Sequence, residues 1–126
     1  MPQIEIKYFT PREANKTLPL VSQIVRDILN NVEKIKSAAE RLEGDIEDNP
    51  EVAQLASEID LFMNELNEIG CSYKDWNFSI GLVDFPSVID GEEVLLCWRS
   101  DEKSVAFYHS PDDGFAGRKP IPPDYL

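Results

Sequence analysis

Apolar residues recur at alternating steps of four and three along two long stretches of the chain, which is the spacing of one helix face. In the first stretch they are Ala14, Leu18, Val21, Val25, Ile28, Val32, Ile35, Ala39 and Leu42. In the second they are Val52, Leu55, Ile59, Phe62, Leu66 and Ile69. The pattern predicts helices over residues 11–43 and 50–69, each with a heptad face of the coiled-coil type.

Both predicted helices carry residues typical of helix ends. Thr10 can cap the first helix, and Pro11 suits its first turn because the missing N–H would be unpaired there anyway. Asn49 precedes the second helix in the same way, while Gly44 and Gly70 mark the two C-terminal ends. The connection between the helices is short and acidic, which favours an antiparallel helical hairpin with facing apolar seams.

The first predicted helix is longer than the second, so its N-terminal part extends beyond the hairpin. This overhang, residues 11–22, contains Pro19, which cannot donate a backbone hydrogen bond and is expected to kink the helix. The overhang lies at the end where the chain leaves the second helix. We therefore expect it to cover the residues that follow.

The pattern after residue 70 changes to the alternation typical of strands. Strands are predicted over residues 78–84, 93–99 and 105–109, with Asp90 and Gly91 as the turn between the first two. Residues 3–8 also alternate and can form an edge strand, and the proline-rich tail is expected to lie extended on the surface. The prediction is one α+β domain: edge strand 1–9, helical hairpin 10–70, small antiparallel sheet 71–118 and tail 119–126.

The length of the loop after Arg99 decides which side chains share a face of the sheet. A turn over residues 100–103 places Leu96 opposite Phe107 and Val94 opposite His109. One face then holds Trp98, Phe107 and His109, and the other holds Cys97, Arg99 and Tyr108. An odd-length loop would shift this register. Both faces are apolar, so the sheet needs a second cover, which a second subunit or the tail can supply.

Composition narrows the class of protein. The 126 residues include 24 acidic and 12 basic side chains, for a net charge of −12, which disfavours binding to nucleic acid or to a membrane surface. The N-terminus lacks the pattern of a signal peptide, and the longest apolar run is too short to cross a bilayer. We expect an acidic cytoplasmic protein whose two cysteines, Cys71 and Cys97, are reduced.

Aromatic, charged and glycine residues concentrate between residues 81 and 118, where a site is expected. His109 is the only histidine, and it can act as a general base or as one metal ligand beside Asp84 or Glu102. The favoured alternative is a histidine at a strand end that bonds a carboxylate or carbonyl, because no diagnostic ligand spacing is present; no metal site is assigned. Catalytic candidates are Asp84, Glu102 and His109. Cys97 is interpreted as a small core residue.

The segment from Asp113 to Lys119 is a second candidate site. Gly114 and Gly117 free the backbone to present N–H groups, and Arg118 can hold two oxygens, so a small anion or the carboxylate of a partner chain can bind there. The alternative is a turn in which Arg118 pairs with one of the chain's own acids. The ligand-binding candidates are Trp98, Arg99, Gly114, Gly117 and Arg118.

Several motifs together resemble a family of small bacterial and archaeal proteins known only as domain-of-unknown-function family 2203. The motifs are Phe9-Thr-Pro-Arg-Glu-Ala-Asn15, Gly81-Leu-Val-Asp-Phe-Pro86, Leu96-Cys-Trp-Arg99 and Gly114-Phe-Ala-Gly-Arg118. The resemblance covers residues 8–121 and implies a stand-alone cytoplasmic prokaryotic protein. It brings no activity, substrate or cofactor, so the cofactor is unknown.

No phosphate loop, metal signature or nucleophile–base pair can be assembled from spacing alone. We therefore expect a small cytoplasmic binding or assembly protein that acts as a homodimer, because the helices are unequal and the sheet is apolar on both faces. The alternative is a small enzyme or metal-dependent protein with its site near Asp84, Trp98, Glu102 and His109.

Overall fold

The computed structural model describes residues 6–75 and 77–126 and shows two helices followed by a five-stranded antiparallel sheet. The helices are α1 (Pro11–Arg41) and α2 (Pro50–Ile69). The strands are β1 (Ser72–Tyr73), β2 (Leu82–Ile89), β3 (Glu92–Arg99), β4 (Phe107–His109) and β5 (Lys119–Pro120), and they lie side by side in chain order. The α+β class and the helical hairpin are confirmed.

The helix ends follow the local signals in the sequence. Thr10 Oγ1 accepts the N–H of Glu13 at 3.1 Å, and Glu13 Oε1 accepts the N–H of Thr10 at 3.2 Å, which completes a capping box. Asn49 caps α2, and Gly70 ends it with a left-handed φ of 110°. The predicted bounds of α2 are confirmed, and α1 ends at Arg41, two residues before the predicted end. Within the described residues, neither helix is both long and apolar enough to cross a membrane.

The N-terminal part of α1 covers the sheet, as expected for the part of this helix that extends beyond the hairpin. Val21 and Ile28 are fully buried in one core with Phe85, Leu96 and Trp98 of the sheet, each at most 2% exposed. α1 runs through Pro19 as one helix, and the bend expected there stays a prediction.

The buried face of α1 departs from the predicted heptad face after Ile28. Asn31 and Ala38 are buried, whereas Val32 and Ile35 are only half-buried. A straight α-helix has 3.6 residues per turn, so its contact line drifts away from a repeat of 3.5. Asn31 Nδ2 donates to the carbonyl of Leu55 at 3.3 Å, which places a polar contact between the helices. The heptad pattern therefore does not describe the packing of the whole hairpin.

The first predicted strand, residues 78–84, is wrong in position, because β2 begins at Leu82 and continues through Pro86 to Ile89. Residues 77–80 instead form a loop around Asp75, whose carboxylate accepts three backbone N–H groups. β1 pairs with β2 only at Val83 and Asp84, so this side of β2 is a free edge at Pro86. Proline is tolerated there because its nitrogen faces that edge and no ladder hydrogen bond is lost.

The predicted edge strand at the N-terminus lies partly outside the described residues, and residues 6–10 adopt no strand. Phe9 donates its N–H to the carbonyl of Pro86 at 2.7 Å, but Pro86 has no N–H to return, so a ladder cannot form. The hydroxyl of Ser87 donates to the carbonyl of Phe9 instead.

The predicted register between the third and fourth strands is wrong by one residue. The observed pairs are Leu95 with His109 and Cys97 with Phe107, because the loop has the odd length that shifts the register. β4 begins at Phe107 because Asn15 of α1 takes both backbone groups of Val105. Its Oδ1 accepts the Val105 N–H at 2.8 Å, and its Nδ2 donates to the Val105 carbonyl at 3.1 Å.

The C-terminal residues are not the extended surface tail that the proline content predicts. Lys119 and Pro120 form the edge strand β5, where a proline is tolerated, and pair with β4. Ile121 follows and is 3% exposed, with its N–H donating to the carbonyl of Ala106 at 2.9 Å. Burial of Ile121 ties the tail to the core, and residues Pro123–Tyr125 form a short 3-10 helix.

Candidate functional site

Three polar side chains from neighbouring strands meet on the face of the sheet opposite α1. Asp84 of β2 lies directly across from Cys97 of β3, and His109 of β4 points to the same side. All three are buried, with 7% of the Asp84 side chain and 5% of the His109 side chain exposed. One oxygen of Asp84, the sulfur of Cys97 and one ring nitrogen of His109 lie within 4.8 Å of one another.

The loop after β4 folds back over these side chains and leaves a cavity of about 360 Å³. Its 3-10 helix, Phe115–Gly117, follows Gly114, and both Gly114 and Phe115 line the cavity. Lys74 lies on the cavity wall as well. The second cover that an apolar sheet requires is thus supplied in part by residues 110–118 of the same chain.

Both ring nitrogens of His109 have polar neighbours. Nδ1 lies 2.8 Å from the carbonyl oxygen of Ser110, and Nε2 lies 3.3 Å from Oδ1 of Asp84. A carbonyl oxygen can only accept, so the proton of the neutral ring is on Nδ1. In that neutral tautomer Nε2 carries no proton and faces Oδ1 of Asp84, whereas in a doubly protonated ring Nε2 would donate to Oδ1.

Burial governs the protonation of the other two groups. It raises the pKa of Asp84, and the neighbouring His109 and Lys74 offset only part of this effect. Burial, reinforced by the charge of Asp84, raises the pKa of Cys97 to about 11, although Arg118 acts in the opposite direction. Cys97 is therefore a thiol at neutral pH, and His109 has no nitrogen directed at it as a base, so the trio does not form a nucleophile.

Arg118 lies beside this site and binds Glu102. Its Nη1 and Nη2 donate to the two carboxylate oxygens at 2.9 Å and 2.7 Å. The guanidinium carbon also lies 4.2 Å and 4.3 Å from the ring centroids of Phe107 and Phe115. The structure thus shows Arg118 paired with an acid of its own chain, and a small anion would have to displace Glu102.

The other candidates divide between the two faces. Trp98 does not share a face with His109, because the register differs from the predicted one; it is buried on the α1 side and donates its Nε1–H to the Glu102 carbonyl at 3.0 Å. Arg99 lies on the site face and pairs with Asp101. Gly117 packs tightly, since a Cβ there would lie 2.9 Å from that of Asp113.

Sequence reasoning placed Asp84 and His109 in one region but missed Cys97 and Lys74. The signal for Cys97 was present in the predicted turn. A two-residue turn at Asp90 and Gly91 places Asp84 opposite Cys97 when the pairs are counted back along both strands. Lys74 carries no such signal, because its place at the cavity depends on the fold of the loop that follows β1.

Comparison with known proteins gives a family and no activity. No curated protein and no solved structure matches the chain. A family model described as "Uncharacterized conserved protein (DUF2203)" matches residues 7–121. That match spans nearly the whole chain, including the strands that carry Asp84, Cys97 and His109, so this chain belongs to the DUF2203 family of uncharacterized conserved proteins.

Proposed function

We propose that this protein binds one divalent transition-metal ion, with zinc as the first candidate, through Asp84, Cys97 and His109. One observation carries the proposal: Nε2 of His109 and Oδ1 of Asp84, which both present lone pairs when the ring is neutral and the carboxyl is ionised, lie 3.3 Å apart in a buried site. Two lone pairs that face each other repel unless a cation lies between them. The cation is either a shared proton or a metal ion.

The distance is compatible with a metal ion. A charge-assisted hydrogen bond from nitrogen to a carboxylate oxygen is about 2.7–2.9 Å long, shorter than the observed 3.3 Å. Nitrogen and oxygen ligands lie about 2.0–2.1 Å from zinc, and at a tetrahedral angle this places them about 3.3 Å apart. The bond from Nδ1 to the Ser110 carbonyl supplies the outer contact that orients most metal-binding histidines.

The chemistry of the three groups favours zinc over magnesium or calcium. A thiolate and an imidazole are soft or borderline ligands, whereas magnesium and calcium prefer oxygen. Zinc would replace the proton of Cys97, which suits the reducing cytoplasm that we expect for this chain. Three protein ligands leave one tetrahedral position for water or another ligand, which is the arrangement of catalytic zinc sites.

The proposal is tested by cobalt substitution in protein prepared without a histidine tag. After dialysis against a chelator, addition of Co²⁺ should give a thiolate-to-cobalt band in the near ultraviolet at one ion per chain, and Zn²⁺ should abolish it. Cys97→Ser should remove the band, and Asp84→Asn and His109→Gln should weaken binding at least about tenfold.

The control is Cys71→Ser, which removes the other free, buried cysteine and should leave the band unchanged. Circular dichroism establishes that each variant is folded. If the wild-type protein shows no thiolate band, or if His109→Gln binds Co²⁺ as tightly as the wild type, a shared proton explains the geometry and the metal proposal is wrong.

We also propose that the protein forms a homodimer through an exposed side of its helical hairpin. The supporting observation is that apolar residues of both helices are only half-buried, among them Val32 and Ile35 of α1 and Ile59 and Phe62 of α2. Leu61 of α2 is 59% exposed and so is open to contact with a second chain. A second hairpin packed against these residues would complete a four-helix arrangement.

Sedimentation equilibrium tests the dimer. We expect twice the chain mass of 14.3 kDa at micromolar concentration, and the monomer mass for Leu61→Glu. Leu20→Glu is the matched control, because Leu20 is 55% exposed but lies in the overhang of α1. A wild-type monomer at all concentrations would contradict the proposal.

A further inference from the structure

We infer that the metal centre takes a small oxyanion or carboxylate ligand at its fourth position, and that Lys74 is the residue that recognises its negative charge. This inference rests on the proposed metal site. It adds a ligand class, small anions, and assigns a role to a lysine outside the metal-binding trio.

The cavity provides the space for such a ligand. Its volume of about 360 Å³ is at the lower end of the range for small-molecule sites, so a ligand of a few heavy atoms fits inside it. The cavity is bounded by Asp84, Cys97 and His109 and by the apolar side chains of Leu82, Leu95 and Phe115. Apolar walls lower the local dielectric constant, which strengthens the attraction between a charged ligand and the charges around it.

The charged groups on the cavity wall favour an anionic ligand next to Lys74. A divalent ion bound by the Asp84 carboxylate and the Cys97 thiolate is neutral overall, so the remaining charged groups on the cavity wall decide the preference. These groups are Lys74 and Asp113. The side chain of Asp113 packs against Gly117 of its own loop. A Cβ added at Gly117 would lie only 2.9 Å from the Cβ of Asp113.

Lys74 is free to bind a ligand, whereas the neighbouring arginines are held in ion pairs. Arg118 is bound to Glu102, and Arg99 is bound to Asp101. In the described part of the chain, Lys74 has no ion-pair partner, and its backbone N–H is fixed to the Leu82 carbonyl at 2.8 Å. Its side chain lines the cavity that Asp84, Cys97 and His109 also line. An anion that binds the metal can therefore extend towards Lys74.

The test is a titration of the cobalt-loaded protein with inorganic phosphate and, separately, with acetate. The visible bands of Co²⁺ change when a ligand enters its coordination sphere, and we expect a saturable change. Lys74→Gln should weaken anion affinity about tenfold without changing the affinity for Co²⁺, and Asp113→Asn should strengthen it. Lys103→Gln is the matched control, since Lys103 lines a separate cavity on the α1 side.

The outcomes separate this inference from the metal proposal. Absence of the thiolate-to-cobalt band overturns both. A normal band with no spectral response to either anion, or with the same response in Lys74→Gln and the wild type, overturns the anion site alone. A response to phosphate without one to acetate, or the reverse, identifies which oxyanion the site accepts.

Discussion

Arg118 and Glu102 form a two-pronged ion pair that joins the loop after β4 to the loop after β3, with nitrogen to oxygen distances of 2.9 Å and 2.7 Å. Only 13% of the Arg118 side chain and 15% of the Glu102 side chain are exposed. Arg118 also lies over the rings of Phe107 and Phe115. The pair therefore holds in place the segment that covers the candidate metal site.

We predict that Arg118→Ala lowers the free energy of unfolding by about 2 kcal/mol, because it leaves a largely buried carboxylate unpaired. Arg118→Lys should have a smaller effect, because the lysine keeps the positive charge next to Glu102. Some stability should still be lost, since one ammonium cannot reproduce both bonds. The control is Arg41→Ala, which breaks the exposed pair with Glu51 and should cost less than about 1 kcal/mol. Equal losses for the two alanine variants in urea unfolding would contradict the structural role of Arg118.

The same pair predicts a pH dependence of stability. Burial alone would raise the pKa of Glu102, but the hydrogen bonds from Arg118 and from the Arg99 N–H outweigh it and lower the pKa. A lowered folded-state pKa stabilises the fold above the unfolded value of about 4.3, and this contribution is lost as the pH falls through the folded-state pKa.

Glu102→Gln removes the titrating group and serves as the comparison. The difference in unfolding free energy between the wild type and Glu102→Gln should be largest near neutral pH and should shrink below a pH of about 4. Urea unfolding at several pH values measures it. A difference that stays constant down to a pH of about 3 would show that Glu102 is not stabilised as a carboxylate.

Gly81 lies where Val25 of α1 comes close to the start of β2. A Cβ at this position would be 2.2 Å from Cγ1 of Val25, so Gly81→Ala forces the helix and the sheet apart. We predict a loss of about 1–3 kcal/mol, the usual cost of overpacking. Gly114→Ala is the control, because nothing lies within 4 Å of its added Cβ, and thermal unfolding should show almost no change. A similar melting temperature for both variants would contradict the close contact.

The two thiols should react slowly in the folded, metal-free protein. Burial raises the pKa of Cys71 to about 12 and is the largest cause of the rise for Cys97, to about 11. At a pH of about 8 the thiolate fraction of each is then at least about 100-fold below that of an ordinary cysteine. Reaction with an aromatic disulfide reagent, followed by absorbance, should be correspondingly slow until urea is added. Fast reaction of Cys97 alone, identified with Cys71→Ser, would show that its thiolate is accessible.

The sequence by itself determined the features that depend on residues close together in the chain. The cap at Thr10, the cap at Asn49, the helix end at Gly70 and the turn at Asp90 and Gly91 are all present as predicted. These signals work because each involves a few neighbouring backbone groups. The turn also fixes Asp84 opposite Cys97, so two members of the candidate metal site follow from local information.

Only the tertiary structure decided the third member. His109 reaches the same face because the loop between β3 and β4 has an odd length, and Asn15, 90 residues away from Val105 in the chain, binds both backbone groups of Val105 within that loop. A shift of one residue in an antiparallel pair turns every side chain to the opposite face, so the odd-length loop places His109 on the face of Cys97 rather than on that of Trp98. No periodicity in the sequence records such a contact, because its energy comes from two segments that meet only when the chain is folded.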